Sequence, residues 1–146
     1  MKNLKIAISG YGSISALGIN SESVWNKYLD NQHCFQKEHI INKQEWVAPL
    51  SPDAGELISD LTKDKKYQQL DPSVLYAIAA SRNAVKQAGW NKDDGFGINI
   101  GSSRGATVNF EKYHSEFIGS GSQKANPLTS PGTTLGNIAS WVACDQ

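Results

Sequence analysis

The sequence has few cysteines, and their spacing fits neither a disulfide framework nor a metal knuckle. Only Cys34 and Cys144 are present, far apart in the chain and without a C-x-x-C pair. Small disulfide-stabilised domains and zinc knuckles both need denser and more regular cysteines. Free thiols are typical of a reducing compartment, so we expect a cytoplasmic protein.

Neither sign of charge is in excess. The chain has 14 Lys and Arg residues against 14 Asp and Glu residues, so its formal net charge at pH 7 is zero. A chain without net charge has no overall field that attracts nucleic acid or an anionic membrane. We therefore expect neither as a partner, and a charged partner must be met by a local patch.

Long hydrophobic runs are also missing. A membrane-spanning helix needs about 20 consecutive apolar residues, and no stretch of this sequence approaches that length. The first ten residues contain one short apolar run, 6–8, and no signal-peptide pattern. The hydrophobic share of 39% can still build one core. We predict a soluble protein with a single domain over 1–146.

Several segments are predicted to be β-strands. Residues 4–9 are β-favouring and end at a glycine, and residues 96–100 lead directly into the glycine-rich turn 101–105. A shorter strand is predicted at 45–48. Strands that alternate with helices indicate an α/β protein.

The clearest helix follows Asp71. Asp71 is a suitable N-cap, Pro72 suits the first helical position, and the alanine-rich stretch to Ala88 ends at Gly89. Its small side chains allow close packing. Four other segments have helical patterning: 22–29 behind Ser21 as N-cap, 57–61 within a polar surface stretch, a helix from about Ala106 with Val108, Phe110, Tyr113 and Phe117 on its buried side, and 135–142.

The sequence contains no clear catalytic or ligand-binding motif when its residues are considered without comparison to a family. The turn 101–105 between a strand and a helix can place backbone N–H groups around an anion. It matches neither G-x-G-x-x-G nor the phosphate loop, because Gly105 falls one position early and no lysine follows it. A tight turn that needs small residues is the simpler interpretation.

The histidines and cysteines form no recognised site. His33, Cys34 and His39 share one loop without a carboxylate or a ligand spacing, which favours a structural role. His114 follows Tyr113 on a predicted helix and is expected to face solvent or cap a neighbour. Cys144 lies near a helix C-terminus, where the helix dipole disfavours a thiolate. We therefore assign no catalytic residue and no metal ligand.

Three segments carry motifs of a known enzyme family. Residues 6–25 contain a strand, a Ser-Gly-x-Gly turn and a helix bearing Trp25. Residues 98–105 combine a strand with a G-S-x-x-G turn, and residues 126–139 form a Pro- and Thr-rich stretch that opens a helix. In their order and separation they resemble the β-ketoacyl synthases of the thiolase-like class, over 4–143.

The resemblance implies a fold and a position within a larger enzyme. The expected fold is α/β, an incomplete thiolase-like α/β/α half whose sheet stops after its first strands, with the segments around Ile6 and Ile98 as neighbours in one sheet. The chain is expected to be the N-terminal part of the synthase N-terminal domain, ending before the nucleophile cysteine. The family's two catalytic histidines and its lysine lie in the second half. Without these four groups the chain is not expected to condense acyl units by itself.

The resemblance also implies an activity and partners. Complete family members catalyse decarboxylative Claisen condensation of a cysteine-bound acyl thioester with malonyl-acyl carrier protein, in fatty acid or polyketide synthesis. No cofactor and no metal are called for. The expected partners are an acyl carrier protein and a second synthase subunit, in a homodimer or heterodimer. A non-catalytic partner subunit like a chain-length factor stays open as an alternative.

Two residues of the glycine-rich turn correspond to the family's pocket wall. Ser103 and Arg104 are therefore expected to bind substrate. The position of Arg104 is usually apolar and lines the acyl tunnel, so an arginine is a departure. It can shorten the tunnel, meet a polar acyl group, or turn outward to a carboxylate.

Two further groups follow from the resemblance. Thr133, Thr134 and Asn137 match the stretch that packs at the subunit interface. Lys63, Lys65 and Lys66 lie where family members carry basic residues that face the acidic carrier protein. An ordinary solvated face is the alternative for the lysines, because Asp60 and Asp64 dilute their charge.

Overall fold

The computed structural model describes residues 5–30 and 33–146 and shows a mixed α/β protein. Its elements, in chain order, are α1 (Ser21–Leu29), β1 (Gln36–Ile40), β2 (Lys43–Val47), α2 (Pro52–Lys63), α3 (Pro72–Ala88), α4 (Thr107–Gly119), α5 (Thr129–Thr133) and α6 (Asn137–Asp145). The core lies where α3 meets α2 and α6. Its buried side chains are Leu61, Tyr67, Val74, Leu75, Ile78, Ala79, Ile138 and Val142.

The central helix α3 begins and ends as its sequence predicts. Asp71 accepts a hydrogen bond from the Ser73 N–H, Pro72 occupies the first turn, and Gly89 ends the helix with φ of 69°. That left-handed conformation suits glycine because it has no Cβ. The prediction for this helix is confirmed at both ends.

The other helices match their predictions less closely. In α1 the N-cap is Asn20, one residue before the predicted Ser21, because the Asn20 side chain accepts from the Ser23 N–H. The polar stretch from Pro52 forms the helix α2 and is not all surface, since Ala54 and Leu61 are buried. For α4 only Tyr113 is buried. Val108 and Phe110 are each 56% exposed, so their predicted burial is wrong.

The only sheet in the described part of the chain is the antiparallel hairpin of β1 and β2. Gln36 pairs with Val47 and Ile40 with Lys43, so the strand predicted at 45–48 exists, shifted by about two residues. On one face His33 packs edge-on against the Trp46 ring at 6.2 Å, and Lys37 lies over that ring. The hairpin thus supplies its own side-chain contacts.

The strands predicted at 4–9 and 96–100 are wrong within the described residues. Residues 5–9 are exposed, with Ile6 at 90% and Ile8 at 88%, and Leu4 lies outside the described part. Residues 96–100 alternate between half-buried and exposed, and Ile98 and Ile100 pack against the core. Neither segment takes part in a strand ladder, so the predicted sheet that joins Ile6 to Ile98 is not formed.

The loop before α1 instead lies directly on α3. A Cβ added at Gly10 would collide with the Ala84 carbonyl oxygen, and one added at Gly12 with the Ala80 carbonyl oxygen. The small alanines of α3 therefore admit a glycine loop at backbone contact distance, where a sheet was expected. Close packing of this kind leaves no room for a side chain on the loop.

In the described ranges, no helix has the length and apolar character that crossing a membrane requires.

Replacing Gly12 by alanine tests the close contact between the loop and α3. The new methyl group must displace the Ala80 carbonyl, so Gly12→Ala is expected to lower the free energy of unfolding by about 1–3 kcal/mol. Urea-induced unfolding followed by circular dichroism measures the change. Gly55→Ala is the matched control, because Gly55 lies within α2 and a Cβ there meets nothing within 4 Å.

The control variant should be neutral or stabilised by roughly 0.5–1 kcal/mol, the usual gain for alanine over glycine in a helix. Equal stability of Gly12→Ala and Gly55→Ala would contradict the described packing.

Candidate functional site

The candidate site is built around a buried carboxylate. Asp71 is only 2% exposed, and its Oδ1 accepts hydrogen bonds from the Ser73 N–H at 2.9 Å and the Ser73 hydroxyl at 2.7 Å. Its Oδ2 accepts from the Asn109 N–H at 2.9 Å, in the first turn of α4. The Asn109 side chain in turn donates to the Gln69 carbonyl. One aspartate therefore caps α3 and fixes the start of α4 beside it.

The turn 101–105 lies between these two helix starts. Ser102 Oγ accepts from the Gly105 N–H at 2.9 Å, and the Gly105 carbonyl lies 3.4 Å from the Ser73 hydroxyl, whose proton is directed to Asp71. Gly105 has φ of 66°, and a Cβ there would come within 3.3 Å of Leu135 Cδ2. The predicted pocket-wall turn thus packs against the segment around Thr133. This is the segment that the sequence predicts to lie at the subunit interface.

Ser103 and Arg104 are both exposed on this turn. The Arg104 side chain forms no hydrogen bond or ion pair with any residue in 5–30 or 33–146. No carboxylate partner is therefore present for it in the described part of the chain. Its guanidinium is available to a group from outside these residues.

The three predicted interface residues take part in hydrogen bonds with backbone groups of their own segment. The Thr133 hydroxyl donates to the Thr129 carbonyl within α5, and the Asn137 side chain donates to the Pro131 carbonyl across the break between α5 and α6. Thr134 is exposed, and its carbonyl accepts from the Asn137 N–H at 3.0 Å. The two bonds of Asn137 therefore connect the start of α6 to α5 and to the residue that follows it.

A crevice of about 110 Å³ opens where α3, α4, α5 and α6 converge. It is lined by Gln69, Leu70, Asp71, Asn109, Tyr113, Leu128, Pro131, Gly132, Asn137 and Trp141. Its volume suits a few water molecules and lies well below the roughly 300–1,000 Å³ of small-molecule pockets. The described residues therefore do not form a small-molecule pocket of the usual size at this place.

The three predicted carrier-facing lysines differ in their surroundings. Lys63 forms an ion pair with Asp60, and this hydrogen bond raises the pKa of Lys63. Lys66 Nζ donates to the Cys144 carbonyl at 3.3 Å and lies over the Tyr67 ring. Lys65 is exposed and makes no such contact within the described residues. Among the described residues, Lys63 is therefore paired with a carboxylate, Lys66 is held by a carbonyl and a ring without an ion pair, and Lys65 has neither kind of contact.

A second buried carboxylate was not predicted from the sequence. Arg82 of α3 donates two hydrogen bonds, Nε to Asp145 Oδ2 at 2.8 Å and a terminal nitrogen to Oδ1 at 2.6 Å, and the Tyr67 hydroxyl donates to the same Oδ1. Burial raises the pKa of Asp145, but the bonds from Arg82 and Tyr67 outweigh it and the net pKa is lowered. The Asp145 bond likewise raises the pKa of Arg82.

This cluster fastens the end of α6 to α3. A bidentate arginine–carboxylate pair fixes direction as well as distance. No local pattern signals it, because Arg82 and Asp145 are 63 positions apart.

The histidines and cysteines, to which the sequence assigns no site, form no metal site in the described part of the chain. His114 is exposed and stacks on Phe110, and Cys144 is exposed at the end of α6. His33 contacts the rings of Phe35 and Trp46. Across 5–30 and 33–146, no three His, Cys, Asp or Glu residues are grouped so that they could hold a metal ion.

Comparison with known proteins decides the family. The family model described as "Beta-ketoacyl synthase, N-terminal domain" matches residues 3–144. The chain belongs to the β-ketoacyl synthase family. The resemblance predicted from three segments of the sequence is therefore confirmed over almost the whole chain.

The synthase relatives share moderate identity with the chain. The 3-oxoacyl-[acyl-carrier-protein] synthase 2 of Staphylococcus aureus (strain MRSA252) is 30% identical over 138 residues, 89% of this chain and 33% of that protein. The protein of the same name from Rhizobium meliloti (strain 1021) is 23% identical over 152 residues, 95% of this chain and 36% of that protein. The chain spans about a third of the length of the curated relatives it matches.

Changing Asp71 to asparagine separates its two roles in this synthase chain. Asparagine still caps α3 through one oxygen, but its NH2 group cannot accept from the half-buried Asn109 N–H. We expect Asp71→Asn to lower the free energy of unfolding by about 1–3 kcal/mol and Asp71→Ala to lower it further. Denaturant unfolding checks both.

Asp93→Asn is the control, because Asp93 is exposed and should change stability by less than about 0.5 kcal/mol. Equal stability of Asp71→Asn and Asp93→Asn would mean that Asp71 does not hold α4 in place.

Proposed function

We propose that these 146 residues are the N-terminal part of a β-ketoacyl-acyl-carrier-protein synthase with a thiolase-like fold. The complete form catalyses decarboxylative Claisen condensation of an acyl thioester with malonyl-acyl carrier protein, in fatty acid or polyketide synthesis. The observation that carries the proposal is the family match over 3–144, together with relatives named 3-oxoacyl-[acyl-carrier-protein] synthase 2 that are about three times as long. No cofactor is required for this chemistry.

The residues of this chain contribute to the reaction by lining the acyl pocket, and none of them forms a covalent bond with the substrate. The cysteine nucleophile, two histidines and a lysine of the family have no counterpart here, so the condensing groups belong to other parts of the complete protein. The turn 101–105, held between the starts of α3 and α4, supplies a wall of the acyl pocket. Ser103 and Arg104 face the substrate from this wall.

Arg104 is the residue that distinguishes this pocket wall. An exposed guanidinium without a carboxylate neighbour among the described residues can bind a polar or acidic group at the far end of an acyl chain. In the absence of such a group it blocks the extension of an apolar chain, because burying an unpaired charge is costly.

The complete synthase works as a dimer in the cytoplasm and receives its substrates from an acyl carrier protein. The short helices α5 and α6 lie at the subunit interface, where Thr133, Thr134 and Asn137 hold the backbone that the partner subunit contacts. Lys65, whose side chain makes no polar contact within the described residues, provides the main attraction for the acidic carrier protein, supported by Lys63 and Lys66.

A non-catalytic role is the second candidate. A partner subunit like a chain-length factor would lend its pocket wall and interface to a complete synthase and would bear no nucleophile. The poor fit of a charged Arg104 to an ordinary apolar tunnel favours this candidate specifically.

The direct test is a condensation assay with the complete gene product. Incubation with an acyl-acyl carrier protein and malonyl-acyl carrier protein should yield a 3-oxoacyl-acyl carrier protein and one CO₂ per condensation. Mass spectrometry of the trapped enzyme should place the acyl thioester on a cysteine other than Cys34 and Cys144. Labelling of either of these two cysteines would overturn the assignment of roles.

Absence of condensation, combined with co-purification with a complete synthase whose activity it restores, would decide for the partner subunit. Absence of both would reject the proposed function altogether.

The lysines can be compared in the same assay. Lys65→Gln is expected to raise the KM for the acyl carrier protein several-fold and leave kcat unchanged, because an unpaired surface charge acts on encounter. Lys27→Gln is the matched control, since Lys27 is an exposed lysine of α1 outside the group of Lys63, Lys65 and Lys66. The difference should vanish at high ionic strength. Equal KM values for the two variants would indicate that the lysines are ordinary solvent-exposed residues that do not attract the carrier protein.

A further inference from the structure

A groove of about 380 Å³ lies between the loop that precedes α1 and the helix α3. Its lining residues are Tyr11, Gly12, Ser13, Ile19, Asn20, Ser21, Asn83, Lys86 and Gln87. The volume falls in the range of small-molecule sites, about 300–1,000 Å³. None of the residues assigned to the synthase reaction lines it.

Hydrogen bonds fix the two walls of the groove relative to each other. The Tyr11 N–H donates to Gln87 Oε1 at 2.7 Å, and Asn83 Nδ2 donates to the Ile19 carbonyl at 3.3 Å. The Tyr11 hydroxyl and Ser21 Oγ lie 2.6 Å apart, and one of the two hydroxyls donates to the other. The groove is therefore held open by contacts between its own lining residues.

The groups that remain available in the groove are mostly donors. Gln87 uses its oxygen for Tyr11, so its NH2 group is left to donate. The Tyr11–Ser21 pair consumes one of its two hydroxyl protons, and the Ser13 hydroxyl has no partner within the described residues. Lys86 Nζ forms no ion pair there, and neither Asp nor Glu lines the groove.

We propose that this groove binds a small tetrahedral oxyanion, inorganic phosphate or a phosphate monoester. Lys86 supplies the charge, while Gln87 and the hydroxyls donate from both walls. A tetrahedral anion presents oxygens in several directions, so it can accept from donors on both walls at once. The rest of the groove, beside Tyr11 and Ile19, has room for the alcohol part of a monoester.

Acetylation of lysines gives a readout that is specific to this site. The complete gene product is treated with acetic anhydride in phosphate or in chloride of equal ionic strength, and the modified lysines are quantified by peptide mass spectrometry. Saturating phosphate should slow acetylation of Lys86 at least threefold and leave Lys27 unchanged. Lys27 is a suitable internal control because it lies on α1 and does not line the groove.

Gln87→Glu is the decisive variant. A glutamate keeps an oxygen for the Tyr11 N–H but replaces the free donor by a negative oxygen, so protection of Lys86 by phosphate should disappear. Gln68→Glu is the matched control, because Gln68 is exposed and lies outside the groove. Circular dichroism verifies that both variants are folded. If Gln87→Glu fails to fold, Lys86→Gln takes its place, with phosphate binding measured by calorimetry.

Inorganic phosphate and glycerol phosphate are titrated separately, and the one that protects Lys86 at the lower concentration identifies the ligand as the free anion or the monoester. The proposal is overturned if chloride protects Lys86 as well as phosphate does, if Lys27 is protected equally, or if Gln87→Glu retains full protection.

Discussion

The buried carboxylate of Asp71 joins parts of the chain that are distant in sequence. One oxygen closes the first turn of α3, and the other holds the first turn of α4 through the Asn109 N–H. Burial of a carboxylate is costly unless it accepts several hydrogen bonds, and Asp71 accepts three. Since the turn 101–105 lies between these two helix starts, Asp71 helps to fix its place, together with the packing of Gly105 against Leu135.

The second carboxylate, Asp145, has a similar function at the other side of α3. Arg82 and Tyr67 bind it, and Lys66 reaches the neighbouring Cys144 carbonyl. The helix α3 is therefore fixed at both ends of its core-facing surface, by α4 at its start and by α6 further along. This arrangement explains how the helices stay ordered although the only sheet described is a two-stranded hairpin.

Features that depend on neighbouring residues could be predicted from the sequence. The caps of α3 at Asp71 and Gly89 were predicted correctly because a helix end is satisfied within a few residues. A strand is completed only by a partner remote in sequence, so composition alone misassigned 4–9 and 96–100. The Arg82–Asp145 pair could not be predicted for the same reason, because the two residues are distant in sequence.

The candidate site shows the same limit. The turn 101–105 and the family could be predicted because both depend on short motifs, whereas the crowding of Gly105 against Leu135 required coordinates. The lysines were predicted as a group from their proximity in sequence. Their different surroundings depend on Asp60, three positions before Lys63, and on the Cys144 carbonyl at the end of α6; the second contact is not visible in a linear pattern.

The segment around Ile6 and Ile8 has a practical consequence. Both isoleucines are almost fully exposed, and their backbone takes part in no ladder. Within the described residues this apolar segment has no ladder partner, and such a segment can pair with an identical segment of another molecule. Concentrated preparations of this chain should therefore tend to aggregate from this end, and charged substitutions at these two positions should improve its solubility.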